Sequence, residues 1–254
     1  MTAPTHPMLL SCSLGLLLAS ACQPGNLGTT AGDYGVAFSD EPDCVEIDVS
    51  SLTLEAPFTL DLFVQSGAEA GYAFYPLVVW PGAFTLFQDE YQYLIFGPST
   101  DTSAGAGAST PKDILDGGYH HLAATFDADG QASLYLDGDR LVAAPVALAE
   151  EPGDVLYLGC WPGQSNAYFS GTIGEVRIQN TLHYDSDFAP TWSEYEPSDT
   201  VTAMWHLNEG RGTSVLDAMG LSDGVLEGGE WVQFPLPGYD PDDAPLDTGE
   251  DTGE

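Results

Sequence analysis

The 254-residue sequence predicts an all-β domain, a sandwich of two packed antiparallel sheets, and two observations carry that expectation. Apolar and polar residues alternate with a period of two in one short segment after another, and no stretch of the body keeps a helical period over three turns. Turn residues punctuate these segments, with 29 Gly and 18 Pro, while 43% hydrophobic residues supply one packed interior. Setting aside the two ends leaves roughly 200 residues, a size at which a sandwich is still one domain.

Taken in order, Val45, Ile47 and Val49 open the series, with Glu46 and Asp48 pointing the other way. Phe58, Leu60, Leu62 and Val64 alternate with Thr59, Asp61, Phe63 and Gln65, which predicts a half-buried strand with one apolar face. Strand candidates follow at 77–80, 83–87 and 91–96, and 98–112 reads as a mobile loop from its Ser, Gly and Pro content. His120, Leu122, Ala124 and Phe126 alternate next and end at the turn Asp127-Ala128-Asp129-Gly130. Ala132, Leu134 and Leu136 run to Asp137-Gly138, a two-residue hairpin signal, before Leu141 and Val142 begin the return strand. Segments 155–158, 172–178, 201–207 and 231–234 complete the set.

The ends read differently. Residues 1–21 have the pattern of a signal peptide, with an apolar run at 8–21 and Ala19-Ser20-Ala21 as a small-residue cleavage site before Cys22. This leader resembles a bacterial lipoprotein signal, a resemblance that implies a lipid on Cys22 and attachment at the cell envelope; ordinary secretion is the alternative. Residues 22–32 then form anchor and spacer, 33–235 the domain, and 236–254 an acidic tail whose few apolar residues cannot offset the entropy of ordering it. With Cys12 in the leader and Cys22 at the anchor, Cys44 and Cys160 remain, and two thiols in an oxidising compartment predict one disulfide.

Charge narrows the partners. Thirty-nine acidic residues face only Lys112, Arg140, Arg177 and Arg211, for a formal net charge of −35. Nucleic acid is excluded as a direct partner, and anionic lipid is disfavoured, because both are bound by clustered Lys and Arg. Membrane contact is therefore expected only through the lipid anchor.

Several strings share one resemblance. GYHHLAATFDADGQASLYLDGDRLVA at 118–143 and YFSGTIGEVRIQNTLHYDSDF at 168–188 are similar to the central and closing motifs of laminin G-like domains of the concanavalin A-like lectin and glucanase class. Tyr119 stands where Trp is usual, and Gly174 where an acid is usual. The opening at 34–65 and WHLNEGRGTSVLDAMG at 205–220 resemble further strings of the same class, in colinear order. The resemblance implies a jelly-roll topology and a role in binding glycans or proteins outside the cell.

Candidate sites follow from residue chemistry. Exposed aromatics pack on sugar rings, so Trp80, Tyr91, Tyr93, Trp161 and Tyr168 form the candidate ligand-binding set. A Ca²⁺ ion, the one cofactor considered, would draw on Asp40, Asp43 and Asp217. Glu46 and Asp48 invite comparison with the acidic strand of sandwich glucanases, but Ser50 and Ser51 fill the places of a third acid, so both are read as solvent-facing. Gly163-Gln164-Ser165-Asn166 resembles an esterase block, yet it falls in a loop between strands rather than on an α/β elbow, and is read as coincidence. His120 is expected to be a hydrogen-bonded core residue, His121 exposed or half-exposed, and Glu175 and Arg177 a structural pair on one strand face. The expected function is non-catalytic recognition of an extracellular glycan or glycoprotein. The alternative is an adhesive envelope protein with protein partners, and a polysaccharide-cleaving enzyme stands third.

Overall fold

The computed structural model describes residues 34–39, 42–67, 71–98, 107–148 and 151–236. The leader, Cys22, the spacer, Asp40 and the tail from residue 237 lie outside the described residues.

Two eight-stranded antiparallel sheets face each other. The first contains β1 (Tyr34–Phe38), β3 (Phe58–Ser66), β8 (Tyr119–Phe126), β9 (Gln131–Leu136), β10 (Asp139–Pro145), β12 (Gly171–Gln179), β13 (Val201–Trp205) and β16 (Glu230–Gln233). Its order is β10-β9-β8-β3-β12-β1-β16, with β13 also paired to β12. The second contains β2 (Cys44–Asp48), β4 (Phe74–Trp80), β5 (Phe84–Asp89), β6 (Tyr93–Gly97), β7 (Ala108–Pro111), β11 (Val155–Leu158), β14 (Ser214–Val215) and β15 (Gly224–Glu227), in the order β14-β15-β2-β11-β4-β5-β6-β7. Two packed antiparallel sheets are what the alternation predicts, and the crossings between them are those of a jelly roll, as the resemblance implies.

The core is the set of inward residues from both sheets. Val36, Leu60, Leu62, Val64, Leu122 and Ile173 from the first meet Val45, Ile47, Leu77, Leu86, Phe96 and Leu156 from the second, all buried. The hairpin between β9 and β10 forms where expected, with Asp137 at φ 52° and Gly138 at φ 89°, the paired positive values a two-residue turn of this hand requires. A side chain at Gly138 would also strike the carbonyl of Phe188, whose amide donates to the Gly138 carbonyl at 2.9 Å.

That contact belongs to a feature the alternation does not announce. Residues 180–196 form a strap without regular secondary structure over the outer face of the first sheet. The Thr59 hydroxyl donates to the Thr181 carbonyl at 2.8 Å and accepts from the His183 amide at 2.9 Å, and the Tyr184 hydroxyl donates to Asp61 at 3.0 Å. Consequently β3 is buried on both faces rather than half-buried: Thr59, Asp61 and Phe63 are as enclosed as Leu60 and Leu62. His121 is likewise buried, against Phe63, Tyr184, Phe188 and Tyr195, which corrects the expectation that it is exposed. Phe234 and Leu236 pack into the same satellite cluster as Phe63 and Met204, so Leu236 is buried against the domain.

Two further expectations change. The 98–112 segment contains β7, which pairs with β6 at the sheet edge. Glu175 and Arg177 do not pair with each other: Glu175 accepts from His206 and Arg177 donates to Asp61, on a strand whose register against β3 shifts between Ile173 and Val176. Gly174 lies within that irregularity, and a Cβ there would come 2.5 Å from the Phe234 ring. Arg177 instead donates from Nε and Nη2 to Asp61 at 3.0 and 2.6 Å, with its guanidinium carbon 4.0 Å from the centre of the Tyr195 ring. The predicted Cys44–Cys160 disulfide is present, spanning 116 residues.

The Asp61 carboxylate is wholly enclosed, so its partner is indispensable even where the pair itself adds little net stability. Arg177→Met leaves that charge uncompensated and is expected to cost about 3–5 kcal/mol. The double variant Asp61→Leu/Arg177→Met should recover most of the loss, as measured by urea denaturation.

Candidate functional site

Strand β2 turns Glu46 and Asp48 outward while Val45 and Ile47 enter the core, and β15 turns Glu227 outward beside it. Across the ladder, Tyr157 of β11 sits opposite Glu46, and burial together with that carboxylate raises the phenol above its ordinary value. After β11 the chain turns at Gly159, whose positive φ of 76° is open to glycine and whose Cβ position is filled by the Phe38 ring. The loop that follows is closed by the Trp161 amide on the Ala167 carbonyl at 3.2 Å and the Gln164 amide on the Trp161 carbonyl at 3.1 Å. The disulfide at Cys160 ties the loop to the start of β2.

These elements enclose a cleft of about 490 Å³ lined by Glu46, Trp161, Gln164, Tyr168, Glu227 and the disulfide. Trp161 lies edge-on to Phe74 and Phe87 at ring distances of 6.1 and 5.3 Å, and half-buried Tyr168 meets Tyr72 at 5.7 Å. A neighbouring groove of about 430 Å³ shares Glu46 and Glu227 and adds Asp48, Asp154 and Asp223. The whole presents the half-exposed Tyr168 ring, an amide and carboxylate acceptors, which suits a neutral, hydroxyl-rich ligand and repels an anion.

Two of the five candidate aromatics, Trp161 and Tyr168, therefore meet in one place. Tyr93 packs into the same small apolar cluster as Trp161, on the outer face of the second sheet. Tyr91 stands in solvent, 73% exposed, at the turn before β6. Trp80 is not available to any ligand: it is a core residue whose indole donates to the Gly153 carbonyl at 2.7 Å.

Of the metal candidates, Asp217 is taken up by hydrogen bonds of its own turn. Asp217 accepts from the amides of Met204, Met219, Leu221 and Ser222 and from the Ser222 hydroxyl, at 2.9–3.1 Å. Those donors fill the lone-pair directions of a carboxylate and order the 217–222 turn, leaving none for an ion. Asp43 accepts from the Ser39 amide at 2.9 Å at the start of β2, and Asp40 lies outside the described residues.

Glu46 and Asp48 are solvent-facing as expected, and Ser50 donates from hydroxyl and amide to Asp48 at 2.6 and 3.0 Å, holding that carboxyl below its ordinary range. Ser165 is exposed on the loop, and no histidine is among the described residues lining the cleft. His120 bridges Asp137 at 3.0 Å and Asp116 at 3.1 Å, a hydrogen-bonded role in keeping with expectation.

One polar cluster escaped sequence reasoning. Buried Glu175 accepts from His206 Nδ1 at 2.9 Å and from the Tyr195 amide at 3.1 Å, while Glu194 of the strap lies 3.3 Å from the same ring nitrogen. One carboxylate oxygen each of Glu175 and Glu194 and a ring nitrogen of His206 fall within 4.8 Å of one another. Burial pushes the Glu175 carboxyl up to about 7, against the opposing pull of His206. Burial opposes the charge on His206 too, but the Glu175 hydrogen bond and the surrounding carboxylates raise its pKa on balance. His206 lies 31 residues from Glu175, and no local pattern links them.

Comparison with known proteins adds the following. Residues 39–185 match the family model of the concanavalin A-like lectin/glucanases superfamily. No curated protein matches the sequence. Among solved structures, a provisionally described carbohydrate binding protein from Bacteroides ovatus superposes with a TM-score of 0.60 at 15% identity, covering 82% of this chain and 62% of that one, so the chain spans less than two thirds of its length. The native heptameric SAP-like pentraxin from Limulus polyphemus superposes with a TM-score of 0.51 at 9% identity, covering 79% of this chain and 98% of that one.

The Glu175 cluster sets a pH dependence. A carboxyl raised in the folded state favours folding most below the unfolded value of 4.5, and that contribution fades as pH rises through about 7. Stability of the native chain should fall across this window relative to Glu175→Gln, by up to about 3 kcal/mol, in denaturation curves taken at stepped pH.

Proposed function

The chain belongs to the concanavalin A-like lectin/glucanases superfamily, and on that premise we propose that it is a non-catalytic recognition module that binds glycan outside the cell through the Trp161/Tyr168 cleft. The observation that carries this reading is the convergence of Trp161, Tyr168, Gln164, Glu46 and Glu227 on one covalently braced depression. The half-exposed Tyr168 ring can pack against the C–H face of a sugar, and the amide and carboxylates take its hydroxyls. The superposition on a Bacteroides ovatus protein described as carbohydrate-binding supports the same ligand class. Export is part of the proposal: the Cys44–Cys160 disulfide needs an oxidising compartment, and residues 1–22 carry the lipoprotein-type leader with Cys22 as the acylated residue.

A second reading has one observation in its favour. Leu216, Leu221 and Val225, 53, 60 and 44% exposed, lie on β15 and in the segments flanking β14, the short edge strand of the second sheet, and such a patch suits a protein partner and an adhesive role.

A glycan array probed with the purified chain separates the two. The recognition reading expects neutral glycans among the hits, with Tyr168→Ala weakening them at least about tenfold, as for a stacking aromatic at a binding hot spot. An array blank for the native chain, with capture of a surface protein lost in Leu221→Ser/Val225→Ser, would replace it by the adhesive reading. Palmitate labelling in the native host is expected for the full chain and should vanish in Cys22→Ser.

A further inference from the structure

Glu175, Glu194 and His206 come from three separate parts of the chain and meet at one point. Continuing the β12–β13 register one step beyond the Val176–Trp205 pair sets Glu175 opposite His206. The strap supplies Glu194, whose place is fixed by its neighbour: Tyr195 is buried and stacked on Phe63, and its amide donates to Glu175 at 3.1 Å. The Asn208 side-chain amide donates to Glu194 at 3.1 Å. Each carboxylate is thus oriented by a group outside the trio, as the carboxylates of metal sites are.

The spacing of the three suits an ion. Ligands about 2.1 Å from one zinc at tetrahedral angles stand about 3.4 Å apart. His206 Nδ1 lies 2.9 Å from Glu175 and 3.3 Å from Glu194, and the third separation is within 4.8 Å. A proton on Nδ1 takes the direction in which the ring binds a metal, and both carboxylates already converge on it. The place is also reachable. The Glu175 side chain is 2% exposed, but those of His206 and Glu194 are 21 and 24% exposed, leaving the solvent side for a fourth ligand such as water.

A second observation calls for positive charge here. Glu209, three residues beyond His206, accepts from the Leu216 amide at 2.7 Å through Oε1, while its Oε2 is buried with no hydrogen-bond partner. The charges of Glu175, Glu194 and Glu209 all bear on His206. Among the described residues no Lys or Arg forms an ion pair with any of these three carboxylates. An imidazolium offsets one carboxylate at most, so an excess of enclosed negative charge is left for a divalent cation to neutralise.

The donor set then selects among cations. Ca²⁺ gathers about six to eight oxygens and Mg²⁺ keeps a near-octahedral oxygen shell, whereas one imidazole with two carboxylates suits zinc and its transition-metal neighbours.

We propose that Glu175, Glu194 and His206 form a binding site for a divalent transition metal, zinc foremost, which clamps the strap to β12 and to the chain leaving β13. The site is separate from the Trp161/Tyr168 cleft and does not rest on the glycan reading. The test titrates zinc chloride by calorimetry into the untagged full chain, first stripped with a chelator, with calcium and magnesium chloride alongside. One equivalent of zinc is expected to bind saturably, at least tenfold tighter than calcium or magnesium. At a hundred times its Kd it should raise the melting temperature by about 5 °C or more. Co²⁺ in its place should show the visible absorption of a four-coordinate ion. Glu194→Gln, on the half-buried strap, and His206→Gln should each weaken zinc at least tenfold and cancel the thermal gain, while Tyr168→Ala changes neither. Should His206→Gln fold poorly, Glu194→Gln decides alone. The proposal is overturned by the absence of saturable zinc binding, by calcium binding as tightly as zinc, or by unchanged zinc affinity in Glu194→Gln.

Discussion

The outer half of this molecule depends on one interaction, the enclosed ion pair of Asp61 and Arg177. A carboxylate in the middle of β3 faces away from the sandwich core, where on a bare sheet it would meet water. Here it is roofed, and it is roofed only because Arg177 on the next strand meets it with two hydrogen bonds and Tyr184 adds a third. Tyr195 then lies against the guanidinium and stacks on Phe63 at 5.1 Å, drawing the strap down. Remove the charge match and the strap has no polar anchor at its centre; with it, aromatic packing can close over a sheet face that sequence alternation marks as open.

This explains how much could be read from the residues alone. Alternation located most of the strands and the β9–β10 hairpin, because inward apolar residues and a positive-φ turn are local requirements. It could not show that Thr59, Asp61, Phe63 and His121 are buried, since the cover comes from a segment with no period of its own. Tyr184, Phe188 and Trp192 even recur at intervals of four without forming a helix, Pro190 and Pro197 interrupting any continuation. β7 was hidden for the opposite reason: Ser, Thr and Pro at an exposed sheet edge look like loop.

The candidate sites divide along the same line. Tyr168 was legible because aromatics beside turns often reach the surface, whereas Trp80 and Trp161 carry the same local signal and are buried, Trp161 against Phe74 and Phe87 at the cleft wall. Asp217 has the composition of an ion ligand in a turn, but a turn's own amides compete for the same oxygens and win when they are closer. Glu175 and His206 became partners only through the pairing of β12 with β13. The acidic coat did prove informative: Glu46, Asp48, Asp154, Asp223 and Glu227 flank the cleft and its adjoining groove, restricting the kinds of molecule that can approach.

The disulfide has a bearing beyond holding two strands. Cys160 immediately precedes the indole that walls the cleft, and Cys44 opens the strand that supplies its outward glutamate, so the two sides of the depression are stitched at their junction. An oxidising environment that forms this bond therefore fastens the two sides of the depression covalently, where reduction would leave Glu46 and the loop carrying Trp161 held through the pairing of β2 with β11.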